Sequence, residues 1–131
     1  MSNKYYINDW ENSTKDEILD EFEFEGDRSK IEILFASYTY EWYIGEAFLI
    51  VKKENKLYEV NAGHCSCYGL ENQFNLEETS IEQLEFYLEK GNKFKWYNGP
   101  DFIKEQLLDF IKYYKEKEND VWKIERVNRK T

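Results

Sequence analysis

Histidine, cysteine and proline are scarce in this chain. Its 131 residues include one His, two Cys and one Pro. The His and both Cys fall in one stretch, NAGHCSCYGLENQF (61–74). A structural zinc site takes four ligands, usually as two spaced pairs, and there is no second pair. The single proline, Pro100, and the lack of a Gly/Ser linker, internal repeat or low-complexity run point to one domain over residues 1–131. No apolar run approaches the roughly 20 residues of a membrane span; the longest is AFLIV (47–51). No N-terminal basic segment leads into an apolar run and a cleavage site, so the expected location is the cytosol. In that reducing compartment Cys65 and Cys67 are expected as thiols. Phosphate loops, Rossmann glycine patterns, HExxH and calcium-loop motifs are also missing. Their absence lowers the expectation of an enzyme and leaves carboxylate chemistry as the open route.

Aromatic residues are plentiful, with 11 Tyr, 9 Phe and 4 Trp. Chains that stay disordered are poor in such residues, so a folded, aromatic-rich core is expected. The net charge is −9 and unevenly spread. Residues 1–50 hold 12 acids against 4 bases, residues 51–111 hold 11 against 7, and residues 112–131 hold 4 against 7. An acidic body with a basic tail lacks the broad basic footprint of a nucleic-acid binder. It suits a basic protein surface as partner, with no direct nucleic-acid or membrane contact and a monomeric or homodimeric chain.

The element pattern predicts an α+β fold. A short strand at Lys4–Asn8 precedes a helix in NSTKDEILDEFEFEGD, capped by Ser13 or Thr14 with Asp16 or Glu17, faced by Ile18, Leu19 and Phe22, and stopped at Gly26. Residues 30–45 begin with Ile31, Ile33 and Phe35 alternating against Glu32 and Leu34, a strand. Residues 46–54 and 56–63 complete a three-strand antiparallel meander around a tight turn at 54–56. After the Cys segment, Thr79 or Ser80 caps a helix, with Gln83 completing a capping box from Ser80, Gly91 as its stop, and Ile81, Leu84, Tyr87 and Leu88 on one face. KFKWY (93–97) reads as an edge strand. Asp101 starts a last helix with a stripe of Ile103, Leu107, Phe110, Ile111 and Tyr114. Residues 115–131 read as a frayed basic tail. The expected assembly is a small antiparallel sheet with two to three helices on one face.

Three places are candidates for function. The first is His64, Cys65 and Cys67, soft ligands for zinc or copper that would need carboxylates such as Glu59 or Glu71 to complete a site. A nucleophilic cysteine would need His64 as its base, yet adjacent residues on extended chain point apart. The plainer reading is a packed strand-to-helix connector, with Gly63 and Gly69 taking unusual backbone angles. The second is the acidic run of Asp16, Glu17, Asp20, Glu21, Glu23 and Glu25. It is either a phosphate-mimicking surface or a solvated helix face. The third is the aromatic cluster Tyr38, Tyr40, Trp42 and Tyr43, too many rings for one buried face, which is either a protein-binding patch or a core-edge packing cluster.

The segment AFLIVKKENKLYEVNAGHCSCYGLENQFNLEETSIEQL (47–84) resembles a group of small uncharacterised proteins from bacteriophages and their bacterial hosts. The shared pattern is K-L-Y-E-V, then C-S-C-Y-G-L-E, then Q-[WF], an acidic pair with Thr, and a helix. It is carried here by Leu57, Tyr58, Glu59, Val60, Cys65, Ser66, Cys67, Tyr68, Gly69, Leu70, Glu71, Gln73, Phe74, Glu77, Glu78 and Thr79. Phe74 stands where the group often has Trp, and Leu76 where it often has Pro. Residues 1–30 and 92–131 share nothing with the pattern. The resemblance implies a phage or mobile-element origin and brings no catalytic residues. Together these readings predict a phage-type accessory protein that binds a host protein. It would inhibit a defence or nucleic-acid-processing system, anti-CRISPR-like, with an acidic surface mimicking nucleic acid. No cofactor is expected. The alternative is a metal- or thiol-dependent protein centred on His64, Cys65 and Cys67.

Overall fold

The computed structural model describes residues 5–41, 44–65, 69–90 and 100–129. The elements are β1 (Tyr6–Asn8), α1 (Lys15–Glu21), β2 (Glu32–Glu41), β3 (Ile44–Lys53), β4 (Lys56–Cys65), β5 (Glu77–Thr79), α2 (Ile81–Lys90) and α3 (Pro100–Arg129). The five strands form one sheet in chain order. Strands β2 to β5 pair antiparallel, and β1 lies parallel to β2. The α+β class expected from the sequence is therefore present.

Local chemistry explains most element boundaries. Thr14 caps α1 through its side chain, and Glu17 returns a bond to the Thr14 backbone, a complete capping box. The helix ends well before Gly26. Glu23 takes a left-handed φ of 54°, and the Glu23 and Phe24 N–H groups bond back to the Asp20 and Leu19 carbonyls. Glu54 and Asn55, with φ of 52° and 66°, make the two-residue turn between paired Lys53 and Lys56. Ser80 accepts from the Gln83 N–H at the start of α2, whereas the Gln83 amide donates to the Tyr87 hydroxyl. Pro100 opens α3 one residue before Asp101, where a missing N–H costs nothing.

The helices cover both faces of the sheet, where one face was expected. Ile81, Leu84 and Leu88 of α2 and Ile103, Leu107, Phe110 and Ile111 of α3 pack with Tyr5, Ile7, Phe35, Phe48 and Ile50 on one side. On the other, Ile18, Leu19 and Phe22 of the α1 segment pack with Trp10, Ile33, Ala36, Leu49, Val51 and Val60. The connectivity is the reason. The parallel pair β1 and β2 needs a crossover, and α1 within it covers one face. The helices that follow β5 cover the other.

Two further expectations change, and a third falls outside the described residues. A β-bulge between Ile33 and Phe35 puts Ile31 and Ile33 on the α1 face but Phe35 on the opposite one. The edge beside β4 is formed by β5, while KFKWY (93–97) lies outside the described residues. Helix α3 is continuous to Arg129, so the segment from Lys115, read as a frayed tail, continues the helix.

Candidate functional site

One end of the α1 face is built from small residues and rings. The register sets Tyr40 opposite Gly45 and Gly45 opposite His64, with Tyr38, Ala47 and Ala62 as the next row. Gly45 and Ala47 leave β3 almost bare there. The His64 side chain on β4 therefore crosses β3 and reaches β2. Its Nε2 lies 2.5 Å from the Tyr38 hydroxyl. Its ring stacks on Tyr40, with centroids 5.2 Å apart and planes 25° from parallel. A Cβ on Gly45 would fall inside the imidazole. The glycine is there for close approach, the usual meaning of a glycine inside a strand.

The hydrogen bonds define the imidazole tautomer. Nδ1 is 2.8 Å from the Cys65 carbonyl oxygen, which can only accept. Nδ1 therefore carries the proton, and Nε2 of the neutral ring accepts from the Tyr38 O–H. Behind Tyr38 stands Trp10, 1% exposed, its ring stacked on the phenol at 5.0 Å. The Trp10 Nε1–H donates to Glu21 at 3.2 Å. Burial pushes the Glu21 carboxyl up from its ordinary range, and the Trp10 bond opposes that rise. The Glu71 carboxylate is held down by backbone N–H groups, its own and that of Gly69.

This arrangement does not suit nucleophilic chemistry at Tyr38. Burial, and then Glu21, Asp9 and Tyr40, push its phenol up to about 12. A phenol that holds its proton so firmly is a donor at neutral pH and a poor nucleophile. The Tyr38–His64 pair therefore fixes the position of a ring. Tyr6, whose hydroxyl bonds the Ile33 carbonyl, is likewise raised to about 12, first by burial. Both phenols bind their protons more tightly in the fold than in the unfolded chain. The stability they contribute is complete below about pH 10, the ordinary tyrosine value, and is lost as pH rises towards 12. Chemical denaturation across that window should show falling stability, with a shallower fall for Tyr38→Phe and for Tyr6→Phe. Identical slopes in wild type and both variants would refute the assignment.

The acids of the α1 region have mostly local partners. Arg28 pairs with Asp16 at 3.1 Å and Asp20 at 2.6 Å. Glu17 closes the capping box, and Glu21, although exposed, accepts from the Trp10 Nε1–H. Glu23 and Glu25 remain exposed. The run is therefore not a uniform array of unpaired carboxylates.

His64 and Cys65 lie within β4, where the sequence suggested a connector, and they point to opposite faces of the sheet. They do not converge on one ion. Among the described residues no group of three or more His, Cys, Asp or Glu is placed to hold a metal. Cys65 is exposed. Cys67, Trp42 and Tyr43 lie outside the described residues. Neither Gly63 nor Gly69 takes a left-handed φ; Asn72 does, at 65°. The loop beyond is tied to β4 by Gln73, which accepts from the Gly63 N–H and donates to the Gly69 carbonyl. Leu70 is buried, and Phe74 packs edge-on against Phe22. These residues of the 69–74 segment thus hold the fold together.

Sequence reasoning named Tyr38, Tyr40 and His64 but assigned them to different sites. It missed Asp9, Trp10 and Gly45. A glycine between strand-forming residues was a usable signal for Gly45. Nothing local marked Trp10 as the support of Tyr38. No helix among the described residues is long and apolar enough to cross a membrane. Compared with protein-family models, curated proteins and solved structures, the chain matches none.

Proposed function

We propose that this chain is an interaction protein of phage type, an accessory factor that binds a host protein in the cytosol. The inferred target is a defence or nucleic-acid-processing system, which the chain inhibits. The observation that carries the reading is Tyr40, 42% exposed and stacked on an imidazole that Tyr38 holds in place. An aromatic ring already ordered in the free protein loses little entropy on binding, and Tyr is enriched among interface hot spots. Ile44, 54% exposed at the same hairpin end, adds apolar area. The net charge of −9 favours a basic partner, as proteins that handle nucleic acid usually are. Glu23 and Glu25 serve long-range attraction, because the other acids of that run are engaged locally. The phage-like pattern in residues 47–84 supports the same origin.

The test is capture from host extract on the immobilised protein. Wild type should retain one host protein, and Tyr40→Ala should weaken that binding by at least about tenfold, as expected of a hot spot. A Glu23→Gln, Glu25→Gln variant should slow association and flatten its salt dependence, with dissociation little changed. Capture that is absent, or equal for wild type and Tyr40→Ala, would overturn the proposal.

A further inference from the structure

Resting on that reading, we infer that Tyr40, backed by His64, takes a guanidinium group, an arginine side chain of the partner laid on the open face of the tyrosine ring. Two features select this chemistry. Tyr40 is 42% exposed, and His64 stacks against one side of its ring, so what it offers a partner is a single flat aromatic face. A planar cation covers such a face better than a compact ammonium does. The surroundings are carboxylates. Glu21 bonds the Trp10 that stacks on Tyr38, Glu71 bonds the Gly69 N–H in the loop after β4, and Asp9 acts on both Glu21 and Tyr38. Among the described residues no Lys or Arg forms an ion pair with Asp9, Glu21 or Glu71. By contrast, Asp16 and Asp20 are already served by Arg28. The aromatic face thus lies where negative charge has no internal basic partner, and three elements besides the strands supply that charge: the β1–α1 loop, α1 and the loop after β4. His64 is the one basic group facing this patch among the described residues.

The chain has a single histidine, so its imidazole proton lines are identified without a full assignment. The probe is N-acetyl-arginine methylamide, titrated into the whole protein and followed by NMR, with the citrulline analogue as its neutral isostere. A saturable shift of the His64 lines with the arginine probe is expected, at least about fivefold weaker with the citrulline analogue and intermediate with the lysine one. Tyr40→Ala should abolish saturation and Glu71→Gln should weaken it. Tyr40→Leu keeps the bulk and serves the same purpose if the alanine variant does not fold. Equal response to arginine and citrulline, no saturable shift with arginine, or an unchanged shift without the Tyr40 ring would overturn the assignment. Capture of a host protein through Tyr40 together with any of those results would sink the arginine assignment alone. An arginine response without a captured host protein would support it and count against the interaction reading.

Discussion

Trp10→Ala should be the most damaging single substitution near the platform, lowering unfolding free energy by about 3–5 kcal/mol, as for large aromatic truncations in cores. The indole is almost wholly buried, stacks on Tyr38 and lies against Phe22 at 6.1 Å. Its removal opens a cavity between α1 and the sheet and takes the Nε1–H from Glu21. Domains of this size have about 5–15 kcal/mol in hand, so the variant should be close to unfolding at physiological temperature. Trp10→Phe separates the two effects. It restores most of the ring volume and not the bond, and should cost clearly less than the alanine. Urea denaturation with an unchanged m-value would measure both. A loss below about 1 kcal/mol for Trp10→Ala would contradict the packing described for that residue.

Gly45→Ala should cost about 1–3 kcal/mol, an overpacking penalty, although the same change is usually mild. The added methyl would occupy the place of the His64 ring. That ring is only partly buried, so the strand is expected to hold and the imidazole to swing away. Tyr38 then loses its acceptor and Tyr40 loses its stacking partner. The decisive comparison is the same substitution in a His64→Ala background, where the methyl meets no ring. There it should be neutral or stabilising by up to about 1 kcal/mol, because Gly45 has no left-handed φ and alanine reduces the freedom of the unfolded chain. The two sites should therefore show a coupling of at least about 1 kcal/mol in a double-mutant cycle. Equal costs in the two backgrounds would mean that His64 does not lie over Gly45. Gly45→Ala should also lose the arginine response while keeping Tyr40 itself.

Features set by near neighbours in the chain are legible in the sequence. The Thr14–Glu17 capping box, the Ser80 cap and the apolar faces of Ile18 and Leu19, of Ile81, Leu84 and Leu88, and of Ile103 through Ile111 are all present in the fold. So is the alternation of Leu57, Glu59 and Asn61 against Tyr58, Val60 and Ala62. These depend on a period of 3.6 or 2 residues and on hydrogen bonds spanning three or four positions. The stop of α1 was misplaced at Gly26 because Glu23 takes the left-handed position that glycine would normally hold. The site was harder to read, because its parts come from β2, β3, β4 and the α1 region and meet only across the sheet.

The sequence by itself determined an α+β chain with these helices, their caps and their buried stripes, because each is a local consequence of spacing. The tertiary structure alone decided which face carries the aromatic rings. Strict alternation from Ile31 through Phe35 would have put Tyr38 and Tyr40 on the side opposite Ile33. The bulge at Ile33/Phe35 adds one residue and reverses the parity, so both tyrosines fall on the α1 face beside Trp10 and His64. No local signal calls for that bulge. It lets Ile33 pack under α1 while Phe35 meets Phe110 of α3, two demands that arise only once the sheet has a helix on each side.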